Sequence, residues 1–589
     1  MLTMVETRRV GTSLDEDGVT ASSHSMSSAS DDTADEVVAP PAVAVPIVFL
    51  PGVMGSNLRA KRDIQLNAVV RGKPVRRRLA RAGDRVWDVD KAVKFSLSEG
   101  PFDWLGRGPA ERQLLLNREN VEVDDRGLIA EGENHHPGAM GSVHSTPSGR
   151  TELSELPLAK ARARGWGQIS WYSYGPFVDW LEEQLNGGAM ESGSPNAVLN
   201  ELLRMCGAVP PGIAGGASPL SEEQINKLLD IYFPVHALGY NWLNSNLDSG
   251  EEVARGIEAI IQQYQERHVC EKVIVVTHSM GGLVARAASE ASGARDSILA
   301  VIHGVMPTDG AALFYKRLIG GGFGEGEGIL GSIEGYMTAE VLGATAQETT
   351  PVLGHAPGPL ELAPNQLYNG GRPWLFIKAA AGGTLKSLPE SGNPYDDIYR
   401  AGREWWRAIN PDWLNPAQQP DSLANHVKAL AKAQGYHATL GNTGFHPETY
   451  AHYGRDGEQK IWGTITWTAT AMEAMRGGPG NLAQAWQKRP GEPIANDPAD
   501  WAVTYQWGGR PTRSVDDGLN EQVRCEIEPA ADPGDGTVPA DQGAAGVYRA
   551  NPKVLCVTAG HDHQGSYGSD DVRHFVIDAV TRAVASVTV

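Results

Sequence analysis

The stretch VIVVTHSMGGLVARAA, residues 273–288, constrains the fold of this chain more than any other. A run of β-branched apolar residues, of the kind that fills a parallel strand buried on both faces, stops at Thr277, and a helix of small residues starts directly after Ser279. A serine at such a turn, with small residues two before and two after it, reads as a nucleophile elbow, G-x-S-x-G. Its tight backbone exposes Oγ above the sheet. Gly281 holds the second small position and Thr277 replaces the first glycine. The threonine side chain fits there only if its neighbours recede.

The surrounding sequence has the matching rhythm. Val43–Leu50 is a short buried strand that stops at Pro51-Gly52. Ile231–Leu238 is a second strand, followed by an amphipathic helix from about Ser249 to Arg267, the strand Lys272–Val276, a helix from near Met280 and the strand Ile298–Val305. Such alternation predicts a doubly wound parallel sheet with right-handed crossovers, the α/β-hydrolase class. The sheet resumes at TYAHYG (449–454), hairpin strands follow at KIWGTITW and EQVRCEIE, and the strand KVLCVTAG leads to a final helix. Residues 1–40, poor in apolar side chains, read as a disordered tail. Residues 41–589 read as one α/β-hydrolase domain with two irregular cap insertions, at about 59–228 and 311–440.

A serine hydroxyl needs a base and a group that orients the base, and on this fold both follow the serine, acid before histidine. Asp535, in the Gly-flanked loop GDGTVP, is the favoured acid, with Asp532 and Asp541 as rivals. His563 is favoured over His561 in GHDHQGSYG because it lies further into the loop after the last strand. The oxyanion needs backbone donors. Met280 follows the nucleophile, and Val53 in PGVMGSNL supplies the second amide, with Gly52 free to aim it. His-Asp-His has no accompanying ligand cluster, so neither metal nor cofactor is expected.

A net charge of −20 argues against nucleic acid or an anionic membrane as a bulk partner, although residues 59–85 carry ten Lys and Arg against Asp63 and Asp84 and suit lipid headgroups or a solvated insertion equally. Trp166, Trp171, Tyr172, Tyr174, Phe177 and Trp180 suit the core of a cap or an acyl-chain entrance. Gly320–Gly328 suggests a hinge, and Asn134-His135-His136 a surface pair. Cys206, Cys270, Cys525 and Cys556 show no metal-binding spacing and read as buried thiols. The N-terminus lacks the apolar run of a secretory signal and no stretch is apolar enough to span a bilayer. The expectation is a chain made in the cytoplasm, exported if at all by a machine that needs no such signal.

FLPGVMGSNL, GYNW, THSMGG, TYAHYG and GDGTVP, in this order, resemble the lecithin:cholesterol acyltransferase group and the related inositol-deacylase-like hydrolases. The further stretches HGVMPTDGAALFYKRLIGG, APGPLELAPN, HPETYAHYG and HDHQGSYGSDDVRHF resemble type VI secretion lipase effectors of the inositol-deacylase-like subgroup. Together they cover most of 44–589 in pieces. The resemblance implies a triad of Ser279, Asp535 and His563 with Val53 and Met280 at the oxyanion hole. It implies a phospholipase or lipase with an acyl-lipid substrate and transient membrane contact, delivered into the periplasm of a rival cell and neutralised in kin by an immunity protein. An acyltransferase or thioesterase would use the same triad; a non-catalytic lipid-binding module would not need it intact.

Overall fold

In the computed structural model, alternate residues of each central strand enter opposite cores. Ile47 and Phe49 pack with Ile274, Val276, Ala300 and Ile302 on one side, while Val48 and Leu50 pack with Val273, Val275 and Val301 on the other. Strand residues alternate faces, so a run apolar at every position must be covered on both. The structure describes residues 42–88, 107–129, 158–321, 345–469 and 522–585, less 71–72, 189, 192–193, 380–381 and 403. It also describes residues 90, 343 and 587 and isolated strand segments before 42 and between 504 and 516. Of the N-terminal tail, four such segments are described, Glu6–Arg9 pairing in parallel with Thr33–Glu36 and Thr12–Leu14 antiparallel with Thr20–Ser22.

The central sheet has six strands, here β1 (Ile47–Leu50), β2 (Val235–Ala237), β3 (Val273–His278), β4 (Ile298–Gly304), β5 (Thr449–Gly454) and β6 (Val554–Thr558). Their order is β2-β1-β3-β4-β5-β6, and every neighbouring pair is parallel. Five helices pack on the sheet or on one another around it: α1 (Trp171–Asn186), α2 (Asn246–Gln265), α3 (Met280–Glu290), α4 (Ser422–Leu440) and α5 (Asp570–Val584). Residues of α2 and α3 share the core with Val48 and Leu50, and those of α1 and α5 share it with Ile47 and Phe49. This is the doubly wound α/β-hydrolase architecture expected from the sequence. Its β3-to-α3 turn lies mid-sheet, since β3 lies between β1 and β4.

The two stretches read as irregular caps have more structure than expected. From the first, α1 covers one face of the central sheet between β1 and β2, and its Trp171, Tyr174, Phe177 and Leu181 are buried. The basic segment forms an antiparallel hairpin, Ile64–Val70 with Lys73–Ala80. Several of its arginines have acidic partners, among them Arg78 with Asp63 at 3.6 Å, Arg77 with Glu111 and Arg85 with Asp124 at 2.8 Å.

The second stretch contributes Leu375–Lys378 and Thr384–Leu388 to a separate six-stranded sheet. There Leu375–Lys378 pairs in parallel with Ile465–Ala469, and Trp467 opposes Ile527 across an antiparallel pair. Strands of four and five residues, supported by partners far along the chain, leave little periodicity to read. The Gly320–Gly328 hinge and Asn134-His135-His136 fall largely or wholly outside the described residues. All four cysteines are buried. Among the described residues no helix is long and apolar enough to cross a membrane.

Candidate active site

Ser279 is held at φ 52°, ψ −122°, directly between β3 and α3. Left-handed φ is costly for a residue with a Cβ and persists only where the surroundings enforce it. Here the Ser279 N–H donates to Gly304 O at 2.8 Å and its carbonyl accepts from Gly282 N–H at 3.0 Å. Gly281 is needed for the close approach of α3 to β1, since a Cβ on it would lie 2.4 Å from Leu50 O and 2.6 Å from Pro51 O. Thr277 fits where the motif has glycine: it is fully buried, its Oγ1 is 3.4 Å from His303 Nδ1, and its carbonyl accepts from Tyr567 O–H at 2.6 Å.

Asp535 lies in the loop after Asp532–Gly534, 1 % exposed. Its Oδ1 accepts from the amides of Thr537 at 3.0 Å and Val538 at 2.7 Å, and its Oδ2 is 2.8 Å from His563 Nδ1. Burial alone would push this carboxyl up. The adjacent His563, by charge and hydrogen bond, and the two amides together outweigh burial and hold it below the ordinary carboxylate value. Asp532 is committed elsewhere, accepting from Gly463 N–H and Gln542 Nε2 at 3.0 Å each. Asp541 pairs with Arg455 at 3.0 Å on the surface.

The two candidate histidines have different surroundings. His561 is bonded to Thr558 Oγ1 at 2.7 Å through Nε2 and to Asp562 O at 3.0 Å through Nδ1, so both ring nitrogens serve its own loop. His563 meets Asp535, and its backbone carbonyl accepts from His278 Nε2 at 2.9 Å. His278 immediately precedes Ser279, and the rings of His278 and His563 are 5.0 Å apart between centroids. The loop that carries His563, and through it Asp535, is thereby joined to the elbow.

Val53 sits in a tight turn after β1, closed by Gly55 N–H to Gly52 O at 3.1 Å, with Met54 at φ 65°. The turn is pinned on several sides. Trp87 Nε1 donates to Met54 O at 2.7 Å, Tyr240 O–H donates to Pro51 O at 2.7 Å, and Gly52 N–H donates to the Tyr174 hydroxyl at 3.1 Å. Met280 opens α3, where an N–H has no partner within the helix. Both amides stand at the corner where α3 meets the end of β1.

Two further residues of this corner, Tyr174 and His278, had no site role in the sequence reading. Tyr174 is one of the aromatics that suit the core of a cap or an acyl-chain entrance, and the sequence singles out no role for His278. Nothing in a linear sequence signals that residues 104 positions apart share a hydrogen bond. Among the described residues no group of three or more His, Cys, Asp or Glu is arranged to hold a metal ion.

Comparison with known proteins agrees with this architecture. Residues 244–319, from the start of α2 through α3 and β4, match the PGAP1-like alpha/beta domain. A chain in the crystal structure of the Tle4–Tli4 complex is similar to this one with a TM-score of 0.68 and 27% identity, covering 93% of this chain and 99% of that chain. No curated protein matches significantly. The resemblance to type VI secretion lipase effectors of the inositol-deacylase-like subgroup is borne out by these two findings, and the chain is an α/β-hydrolase in fold.

Proposed function

We propose that the chain is a serine-dependent hydrolase of lipid esters, a phospholipase or lipase, acting as an antibacterial effector. The observation that carries this reading is the strained Ser279 at the β3–α3 turn, joined through His278 to the loop in which His563 meets Asp535. In the mechanism, Ser279 Oγ attacks the ester carbonyl while His563 takes its proton, and the oxyanion is held by the amides of Val53 and Met280. His563 then protonates the leaving alcohol, and the acyl-enzyme forms. Water repeats the sequence, releasing the fatty acid and restoring Ser279. Asp535 keeps the Nδ1 proton of His563 in place, so that Nε2 carries the lone pair that acts as base.

The Tle4–Tli4 pairing supports a protein partner here too, an immunity protein of the kind the resemblance implies. The same likeness supports delivery by a secretion machine to the membrane or periplasm of a target cell. The test is fatty-acid release from phospholipid vesicles and from a neutral short-chain ester, comparing wild type with Ser279→Ala. Vesicle hydrolysis lost in the variant is the expected result. Cleavage of the short ester alone would remove the membrane-lipid assignment, and full activity in Ser279→Ala would remove the mechanism.

A further inference from the structure

One side chain from outside the proposed triad and oxyanion hole touches both the oxyanion loop and the elbow. The carbonyl of His563 can only accept, so His278 Nε2 carries the proton of their 2.9 Å bond. Burial pushes the His278 imidazole down to about 3, with the charge of His563 adding to the shift, so the ring is neutral and its Nδ1 has a lone pair. The Tyr174 hydroxyl, 3.1 Å from that nitrogen, therefore donates to it. Its own oxygen accepts from Gly52 N–H at 3.1 Å. The chain of bonds runs in one direction, from Gly52 N–H through the Tyr174 hydroxyl and His278 to the backbone of His563.

Each link holds a different part of the site. Gly52 precedes Val53, and the bond to its N–H fixes the peptide plane just ahead of the proposed oxyanion amide. His278 fixes the backbone of His563, whose ring contacts Asp535. Tyr174 is fully buried, with Phe49 at a ring separation of 5.1 Å, and so has no freedom to swing away. Gly52 has no room for a side chain because the same two partners fill it: a Cβ would lie 2.8 Å from His278 Nδ1 and 3.1 Å from the Tyr174 hydroxyl oxygen.

We infer that Tyr174 is the positioning residue of the site, its hydroxyl aligning the Val53 amide and, through His278, the His563 backbone for the transition state. This rests on the serine-hydrolase reading above. Loss of an oxyanion donor costs about 10²–10³ in rate, and misaiming one costs part of that. Tyr174→Phe, in the full chain, is therefore expected to lower kcat on a short-chain ester by about tenfold to thirtyfold. KM should stay within about twofold, because the hydroxyl meets no substrate group.

The rate at which a p-nitrophenyl phosphonate modifies Ser279 should fall by the same factor, since it passes through a similar charged transition state. In the double variant Tyr174→Phe/His278→Phe the losses should not multiply, because both residues act through one chain of bonds. His278→Gln, which keeps an acceptor and a donor, should recover part of the loss seen in His278→Phe. The inference is overturned if Tyr174→Phe keeps kcat within twofold of wild type, if its loss lies wholly in KM, or if the two losses multiply. Ser279→Ala, run alongside, separates the cases: full activity there discards the serine mechanism itself, whatever Tyr174 does.

Discussion

His563 Nδ1 and Asp535 Oδ2 stand 2.8 Å apart, and the other oxygen of the same carboxylate is held by two backbone amides. The aspartate can therefore neither rotate nor change its protonation without breaking bonds inside a site where it is 1 % exposed. In the proposed mechanism this arrangement determines which nitrogen of His563 carries the proton. Asp535→Asn preserves the shape but presents a donor to Nδ1. The expected outcome is a fall in kcat of about 10⁴, as for the wrong tautomer in a Ser-His-Asp triad, with little change in thermal midpoint. Steady-state kinetics on a soluble ester, with a melting curve, measures both.

His561 and His563 should separate cleanly. His563→Ala removes the proposed base and is expected to bring ester hydrolysis down to the level of Ser279→Ala. His561→Ala breaks two bonds within its own loop and is expected to keep kcat within about tenfold of wild type, lowering stability by about 1 kcal/mol. Equal loss of catalysis in both would mean that the assignment of the base is wrong.

Gly281→Ala tests the fit of α3 against β1. The added methyl would meet two backbone carbonyl oxygens, which cannot swing aside as a side chain would. Overpacking of this kind costs about 1–3 kcal/mol, and the shift of α3 displaces the Met280 amide. A lower denaturation midpoint and a loss of kcat are expected together. An unchanged midpoint would contradict the contact.

Acid should destabilise the fold through histidines buried in neutral form. Burial lowers His236, His278 and His303 to about 3, against about 6.5 in an unfolded chain. Between those limits the unfolded state binds protons that the folded state does not. The stabilisation from each group is thus complete above about pH 6.5 and is lost as pH falls towards 3. Each contributes up to about 1.4 kcal/mol per pH unit across that window. Melting temperatures taken from pH 7.5 down to 5 should drop steeply below 6.5, and His303→Gln should flatten the curve. Identical curves would show that His303 becomes protonated in the folded state.

What could be read from the sequence was whatever depends on neighbours along the chain. The apolar run Val273–Val276 could only be a strand covered on both faces, and Ser279 followed at once by Met280, Gly281 and Gly282 could only leave it by a tight turn into a helix. Asp535 and His563 each lie in a glycine-bearing loop near a strand of the parallel sheet. Strand order and loop position therefore drew attention to them, and their 2.8 Å contact is the geometric counterpart. The short strands Leu375–Lys378 and Thr384–Leu388 escaped notice because pairing with Ile465–Ala469 and with each other, rather than any local pattern, stabilises them.

Tertiary structure alone decided the contacts between segments far apart in the chain. Whether Tyr174 was one more core aromatic or a hydroxyl shared by Gly52 and His278 depended on α1 lying across the face of the central sheet that carries Phe49. Likewise His561 and His563 differ because a shift of two residues along a loop turns one ring towards Thr558 and the other towards Asp535. Periodicity and turn chemistry act over a few residues and are written in sequence. The direction of a buried polar hydrogen is set by whichever acceptor the packed chain brings within about 3 Å, and that is determined only when the whole core has closed.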